Sequence, residues 1–349
     1  MKAAVFKSFG VPLVVENLPD PVPNPTELIL RVEACGICGT DLHMSENQNA
    51  EGGWRLLKPG CILGHEFSGQ IVEIGKSIGG KWKIGERVTA LPWIGCGTCS
   101  ACGLGRPYRC PSVLMRSSLE LPGAYSEFCR VGAQEVLHLP DHVEPEYGAL
   151  VEPMAVGFSA IQRANIKTTD PVFIMGAGPV GLSVALWCQF LGLENVLISD
   201  LSEERCNAAL NFGATAVANQ GSGHISEQIL DLLGGPPTVL FDCVGLPGTL
   251  QMAIDYAAPN SRIIVVGLCM QSDHYFPAKA LLKELDLHFA YVYSKDDFKK
   301  VIRFIGERRI DPSALVTSRV DLSSLPSTFE RLKKPGSELK VMLKPSEIF

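Results

Sequence analysis

One uncharged stretch of this 349-residue chain constrains its fold more than any other: PVFIMGAGPVGLSVALWCQFLGL, between Asp170 and Glu194. Its length alone would let it cross a bilayer. Its glycines argue for something else. Gly176-Ala177-Gly178-Pro179-Val180-Gly181 follows the strand-like VFIM and opens a helix-like run. In such a turn the first glycine permits the sharp bend. The second lets the backbone approach a pyrophosphate, and the third allows close helix–strand packing. The helix N-terminus then turns unpaired N–H groups toward the phosphates. A strand, a glycine turn and a buried helix in a parallel α/β domain give the same apolar run as a membrane span, so no span and no membrane partner is expected. Roughly twenty residues on, Asp200 closes NVLIS, where a carboxylate meets a ribose 2′-hydroxyl. A carboxylate there repels a 2′-phosphate, which predicts NAD rather than NADP. The competing reading of Asp200 is a plain helix cap.

The surrounding texture fits. Dividing the length by about 150 residues per domain predicts two domains. Residues 1–150 are rich in short strand-like runs such as AAVF, LILRV, GQIVEIG and RVTAL. From about 154 to 290, VFIMG, NVLIS, VLFDCVG and RIIVVG alternate with helix-like segments, which means βαβ units and a parallel sheet. The tail reads as a helix opened by Ser294, SKDDFKKVIRFIGERR, and then a strand in ELKVMLKP.

Charge and compartment narrow the function. The formal net charge is −6, with no block of like charge. Phosphate contacts dominate nucleic-acid affinity, so an acidic chain without a basic stripe is not expected to bind nucleic acid. The N-terminus MKAAVFKSFG has no long apolar segment and no small-residue cleavage site, so a cytoplasmic protein without a signal peptide is expected. Reduced thiols then follow, although the chain has 12 cysteines.

Four of these are closely spaced. Cys96, Cys99, Cys102 and Cys110 lie in one Gly- and Pro-containing loop. Four thiolates close a tetrahedral shell around zinc and leave no open position, which makes such a site structural. An iron–sulfur cluster also takes four cysteines, and spacing alone does not separate the two. A second group of potential ligands is scattered through the first domain. Cys35, Cys38 and His43 lie in CGICGTDLH, His65 and Glu66 in GHE, and Glu152 in VEP. A catalytic zinc needs three protein ligands and one open position. The residues themselves do not choose among these six.

At this point the motifs resemble a known family. GICGTD, GHEFSG, the four-cysteine loop, VEP and GAGPVG are similar, in order and spacing, to the zinc-containing medium-chain alcohol dehydrogenases, especially the polyol, butanediol and threonine dehydrogenase branch. The resemblance covers essentially the whole chain. It implies an α/β fold, with a GroES-like β domain over 1–153 and 293–349 and a Rossmann doubly wound parallel sheet over 154–292. It implies two zinc ions per chain and NAD. Cys38, His65 and Glu152 become the catalytic ligands, with Glu66 beside the metal and Asp41 orienting the imidazole of His65. Cys96, Cys99, Cys102 and Cys110 become the structural zinc ligands. Thr40 and His43 become a proton relay to water, for which an imidazole's pKa is suited. The cofactor contacts implied are Gly176, Gly178, Pro179, Val180, Gly181, Asp200, Arg205 and Val266, with Lys340 at the pyrophosphate. Gly39 stands where some branches carry a phosphate-binding cation.

The expected reaction is hydride transfer between NAD and a small secondary alcohol, vicinal diol or polyol, giving a ketone. A carboxylate as third ligand is associated with the polyol and secondary-alcohol branches. Trp54 and Trp93 are candidates to line the substrate pocket. A homodimer or homotetramer joined at the edges of the Rossmann sheets is implied. Two other functions are weighed. A zinc-free enone reductase on the same fold would lack Cys38, His65 and Glu152. A catalytically inactive cofactor-binding structural protein would not need an intact ligand set and relay.

Overall fold

The structure is a computed structural model that describes residues 1–48, 56–334 and 336–345. These residues form two compact units, one from 1–48, 56–152 and 294–345, the other from 153–293.

The first unit is built on a seven-stranded sheet. Its path runs Val316–Val320, Lys340–Leu343, Glu27–Gly36, Glu66–Ile74, Arg87–Ala90 and Val136–His138, and Phe128–Gly132 also pairs with Glu27–Gly36. The strand Glu27–Gly36, ELILRVEACG, is buried along most of its length because neighbours cover both its edges and its faces. Its ladder with Glu66–Ile74 slips in register between Val32 and Ala34. Gly69 lies against that slip, and a Cβ there would sit 2.0 Å from the carbonyl oxygen of Arg31. The tail strand Lys340–Leu343 pairs antiparallel with Cys35 and Gly36, bringing the C-terminal segment back to the end of the strand Glu27–Gly36.

The second unit is a six-stranded, wholly parallel sheet. Its order is Ala216–Asn219, Val196–Asp200, Val172–Met175, Val239–Asp242, Arg262–Val265 and Asp286–Phe289. The order reverses at Val172–Met175, between whose two neighbours the carboxyl ends of a doubly wound sheet leave a ligand crevice. The apolar run between Asp170 and Glu194 forms a strand and a helix. Val172–Met175 is the central buried strand, and Pro179–Phe190 is a largely buried helix. Among the described residues, no helix is long and apolar enough to cross a membrane.

The tail helix spans Lys295–Gly306. Ser294 caps it reciprocally with Asp297, and Phe298, Val301, Ile302, Phe304 and Ile305 are its buried face. All twelve cysteines are free thiols, and Cys35, Cys61, Cys129, Cys188 and Cys206 are buried.

Candidate active site

Three turns of backbone gather the first cluster. Cys38 follows the strand Glu27–Gly36 and is the N-cap of the helix Gly39–Glu46. His65 and Glu66 enter the neighbouring strand, where Glu66 pairs with Gly36. A Cβ at Gly36 would lie 2.0 Å from Glu66 Oε2 and 3.2 Å from Lys340 Cδ, so only glycine leaves room for both side chains. The ligand-capable atoms of Cys38, His65 and Glu66 lie within 4.8 Å of one another.

Asp41, one helical turn beyond Cys38, is fully buried, and its Oδ1 lies 3.1 Å from His65 Nδ1. Its Oδ2 accepts a hydrogen bond from the Tyr125 hydroxyl at 2.7 Å. With Nδ1 held on Asp41, His65 has Nε2 left for the cluster. Burial lowers the basicity of His65, but the Asp41 carboxylate and the Cys38 sulfur outweigh it and hold the imidazole well above its ordinary range. That negative surrounding suits a bound cation. So does Glu66 Oε2, which is buried and lacks a hydrogen-bond partner among the described residues. Thiolate, imidazole and carboxylate together match zinc's ligand chemistry.

Lys340, expected at the pyrophosphate, is 1% exposed. Its ammonium lies 2.7 Å from Glu66 Oε1 and 3.1 Å from the carbonyl of Ile37, so its charge is paired with Glu66. Glu152, expected as third ligand, is buried in the helix Pro145–Ala164 and lies outside the trio of ligand atoms. It still acts on Lys340, as do Glu66 and Cys38, so the four side chains share one neighbourhood. Thr40 and His43 lie on the helix Gly39–Glu46, Thr40 half-buried and His43 exposed. Spaced three apart, they are neighbours on that helix. Cys35 is a buried thiol, raised well above its ordinary range by burial first and by Asp41 next.

The second cluster is Cys96, Cys99, Cys102 and Cys110, whose sulfurs all lie within 4.8 Å of one another. Zn–S bonds of about 2.3 Å give a tetrahedron with edges of about 3.8 Å, which lies within that limit. The backbone supplies N–H···S bonds. Cys99 N–H donates to Cys96 Sγ at 3.4 Å and Cys96 N–H to Cys110 Sγ at 3.3 Å. The Thr98 hydroxyl and the amides of Thr98 and Cys99 pull the Cys96 thiol down to about 5, while burial pushes Cys102 up to about 12. Trp93 is buried beside this lobe, edge-on to Tyr108 at 5.6 Å. It packs there and does not line the cavity of about 330 Å³ formed by Leu56, Cys61, Leu114, Met115 and Ser118 with their neighbours. Trp54 lies outside the described residues.

In the second unit the glycine turn has the required shape. Gly176 has φ +96°, and a Cβ at Gly181 would lie 1.9 Å from the Gly176 carbonyl oxygen. A Cβ at Gly178 would meet nothing within 4 Å, so open space lies where a pyrophosphate would approach. Pro179 and Val180 begin the helix behind it. Asp200 is tied to the turn, accepting from Ala177 N–H at 2.8 Å on one oxygen and from Ser202 N–H at 2.9 Å on the other. The next helix, Glu203–Ala209, is capped by the Ser202 side chain, so Asp200 is not its cap. Arg205 is half-buried in the first turn of that helix. Val266 leaves the strand Arg262–Val265 with its N–H on the Asp242 carbonyl at 2.8 Å.

Sequence reasoning missed Tyr125, the Lys340–Glu66 pair, and Val244, which a Gly176 Cβ would meet at 3.1 Å. No motif marks Tyr125 or Val244, and none couples Lys340 to Glu66, because these partners meet only through the fold.

Comparison with known proteins agrees with this geometry. Residues 24–141 match the alcohol dehydrogenase GroES-like domain, and 179–307 match the zinc-binding dehydrogenase domain. The chain is 32% identical over 349 residues to a sorbitol dehydrogenase of Bacillus subtilis, covering 99% of this chain and 98% of the relative. Its fold superposes on 2R,3R-butanediol dehydrogenase from Bacillus subtilis with a TM-score of 0.86 at 27% identity, covering 99% of each chain. It superposes on an alcohol dehydrogenase from Escherichia coli CFT073, complexed with NADH, with a TM-score of 0.88 at 25% identity and the same coverage. The chain therefore belongs to the zinc-type medium-chain alcohol and polyol dehydrogenases, oxidoreductases that use zinc and a nicotinamide cofactor.

Proposed function

We propose that this protein oxidises a secondary alcohol, vicinal diol or polyol to a ketone with NAD. The observation that carries the reading is the trio Cys38, His65 and Glu66, the first two half-buried and Glu66 buried, with His65 hydrogen-bonded to Asp41. The names of the relatives, a sorbitol and a butanediol dehydrogenase, support the substrate class.

Cys38 and His65 would hold the catalytic zinc, with Glu66 or Glu152 as carboxylate ligand. Bound there, zinc would supply Lewis-acid polarisation of the alcohol oxygen, and the nicotinamide would supply the hydride acceptor. The chain's own residues do the rest. Asp41 holds the His65 ring in one tautomer. Thr40 takes the substrate proton, and His43, exposed to water, releases it. Lys340 compensates the Glu66 carboxylate. Gly176, Gly178 and Gly181 shape the turn that receives the pyrophosphate. Asp200 favours NAD by accepting the ribose hydroxyl and repelling a 2′-phosphate. Cys96, Cys99, Cys102 and Cys110 would hold a second, structural zinc.

Assembly as a homodimer or homotetramer is supported by the strand Asp286–Phe289. It is an edge of the parallel sheet, with Phe276, Leu281, Leu282, Phe289 and Tyr291 exposed around it. An edge of this kind invites pairing with a second copy.

The test is to compare wild type with Cys38→Ser for metal content and for NAD reduction across a panel of alcohols and diols. Loss of one zinc and of turnover is expected. Unchanged turnover with undiminished zinc would overturn the site.

A further inference from the structure

The geometry points to Tyr125 as a positioning residue for the catalytic metal: its hydroxyl fixes Asp41, and through Asp41 the imidazole of His65. This rests on the reading of Cys38 and His65 as metal ligands.

Asp41 is fully buried, so both carboxylate oxygens need donors inside the protein. One faces His65 Nδ1 at 3.1 Å. The other takes the Tyr125 hydroxyl at 2.7 Å, the shorter of the two bonds. A hydroxyl on a carboxylate is a charge-assisted bond, and it sets the plane in which Asp41 presents its other oxygen. Burial, and then the Asp41 charge, hold the phenol well above its ordinary range, so it remains a donor.

The ring is itself held from several sides. Tyr125 N–H donates to the Leu63 carbonyl at 2.9 Å, and its own carbonyl accepts from Ala4 N–H at 2.8 Å. Phe329 meets the ring edge-on at 6.2 Å. On the remaining side the ring lies against Gly64, the residue before His65. Gly64 has φ +95°, and a Cβ there would lie 2.4 and 2.7 Å from ring carbons. The backbone that delivers His65 and the phenol that braces Asp41 are thus fitted to each other. Removing the hydroxyl alone leaves a buried carboxylate with one donor fewer, free to turn or to draw harder on the His65 proton. Either response changes how firmly Nε2 is presented.

The experiment uses the full-length holoprotein with Tyr125→Phe and Phe329→Leu. Phe329→Leu loosens the packing of the ring but keeps the hydroxyl. Two readouts besides activity report on the metal. The first is the rate at which the catalytic-site zinc passes to excess chelator. The second is the visible cobalt(II) band that substituted wild type shows and substituted Cys38→Ser lacks. Tyr125→Phe is expected to release zinc roughly tenfold faster or more, and to shift the cobalt band. Phe329→Leu is expected to lower the melting temperature while leaving both metal readouts near wild type. The inference is overturned if Tyr125→Phe matches wild type in both metal readouts, or if Phe329→Leu changes them equally. A wild type whose bound metal is unaffected by Cys38→Ser would overturn the proposed site itself, and this inference with it.

Discussion

Lys340 offers the sharpest test of the metal cluster, because its substitution breaks a charge pair that water cannot repair. Its ammonium lies 2.7 Å from Glu66 Oε1 and 3.1 Å from the Ile37 carbonyl, with the two side chains 2% and 1% exposed. Lys340→Met keeps most of the stem's volume and removes the charge. Breaking one side of a buried pair costs about 3–5 kcal/mol, because the remaining charge is left uncompensated. Each kcal/mol moves the melting temperature of a unit of this size by about 2–4 °C, so a fall of roughly 6–20 °C is expected. The assay is thermal and urea unfolding of chelator-stripped protein. In the double variant Glu66→Gln/Lys340→Met both charges are gone, and it should recover at least half of the loss. Zinc added back should stabilise Lys340→Met more than wild type, since the cation then takes up the Glu66 charge. A single-variant shift below about 2 °C, or a double variant as unstable as the sum of the singles, would refute the reasoning.

Cys99→Ser is expected to lower zinc from two ions per chain to one and to reduce the melting temperature, checked by metal analysis and calorimetry. Gly181→Ala forces a Cβ to 1.9 Å from the Gly176 oxygen, so NAD affinity should weaken at least about tenfold by titration, while zinc content stays unchanged. Asp200→Ala removes the carboxylate that opposes a 2′-phosphate, and the preference for NAD over NADP in kcat/KM should fall by about tenfold or more. Phe289→Asp charges the exposed sheet edge and should shift the elution volume toward the monomer without loss of helical signal.

Much of this molecule was legible before any coordinate. Short-range chemistry writes itself into spacing. Three glycines in six residues make one turn, four cysteines in fifteen make one knot, and a serine three residues before an aspartate caps one helix. In each case the partners are close along the chain, and local geometry leaves few alternatives. Asp41 was readable only through the family resemblance of GICGTD, and the fold places it one helical turn beyond Cys38. What stayed hidden involves partners far apart in sequence. Lys340 meets Glu66 across 274 positions, and Tyr125 meets Asp41 across 84. A basic residue near the tail looks the same whether it faces solvent or a buried carboxylate. Sheet pairing decides that: the tail strand lies against Cys35 and Gly36, and Glu66 pairs with Gly36 from the other side. The sequence by itself therefore determined the nucleotide turn, the cysteine lobe and the kinds of ligand available. Only the tertiary structure brought the Glu66 carboxylate within reach of both Cys38 and His65, and set Lys340 against Glu66. Those choices depend on burial, which strips water from charges and makes each one find a partner across the sheet.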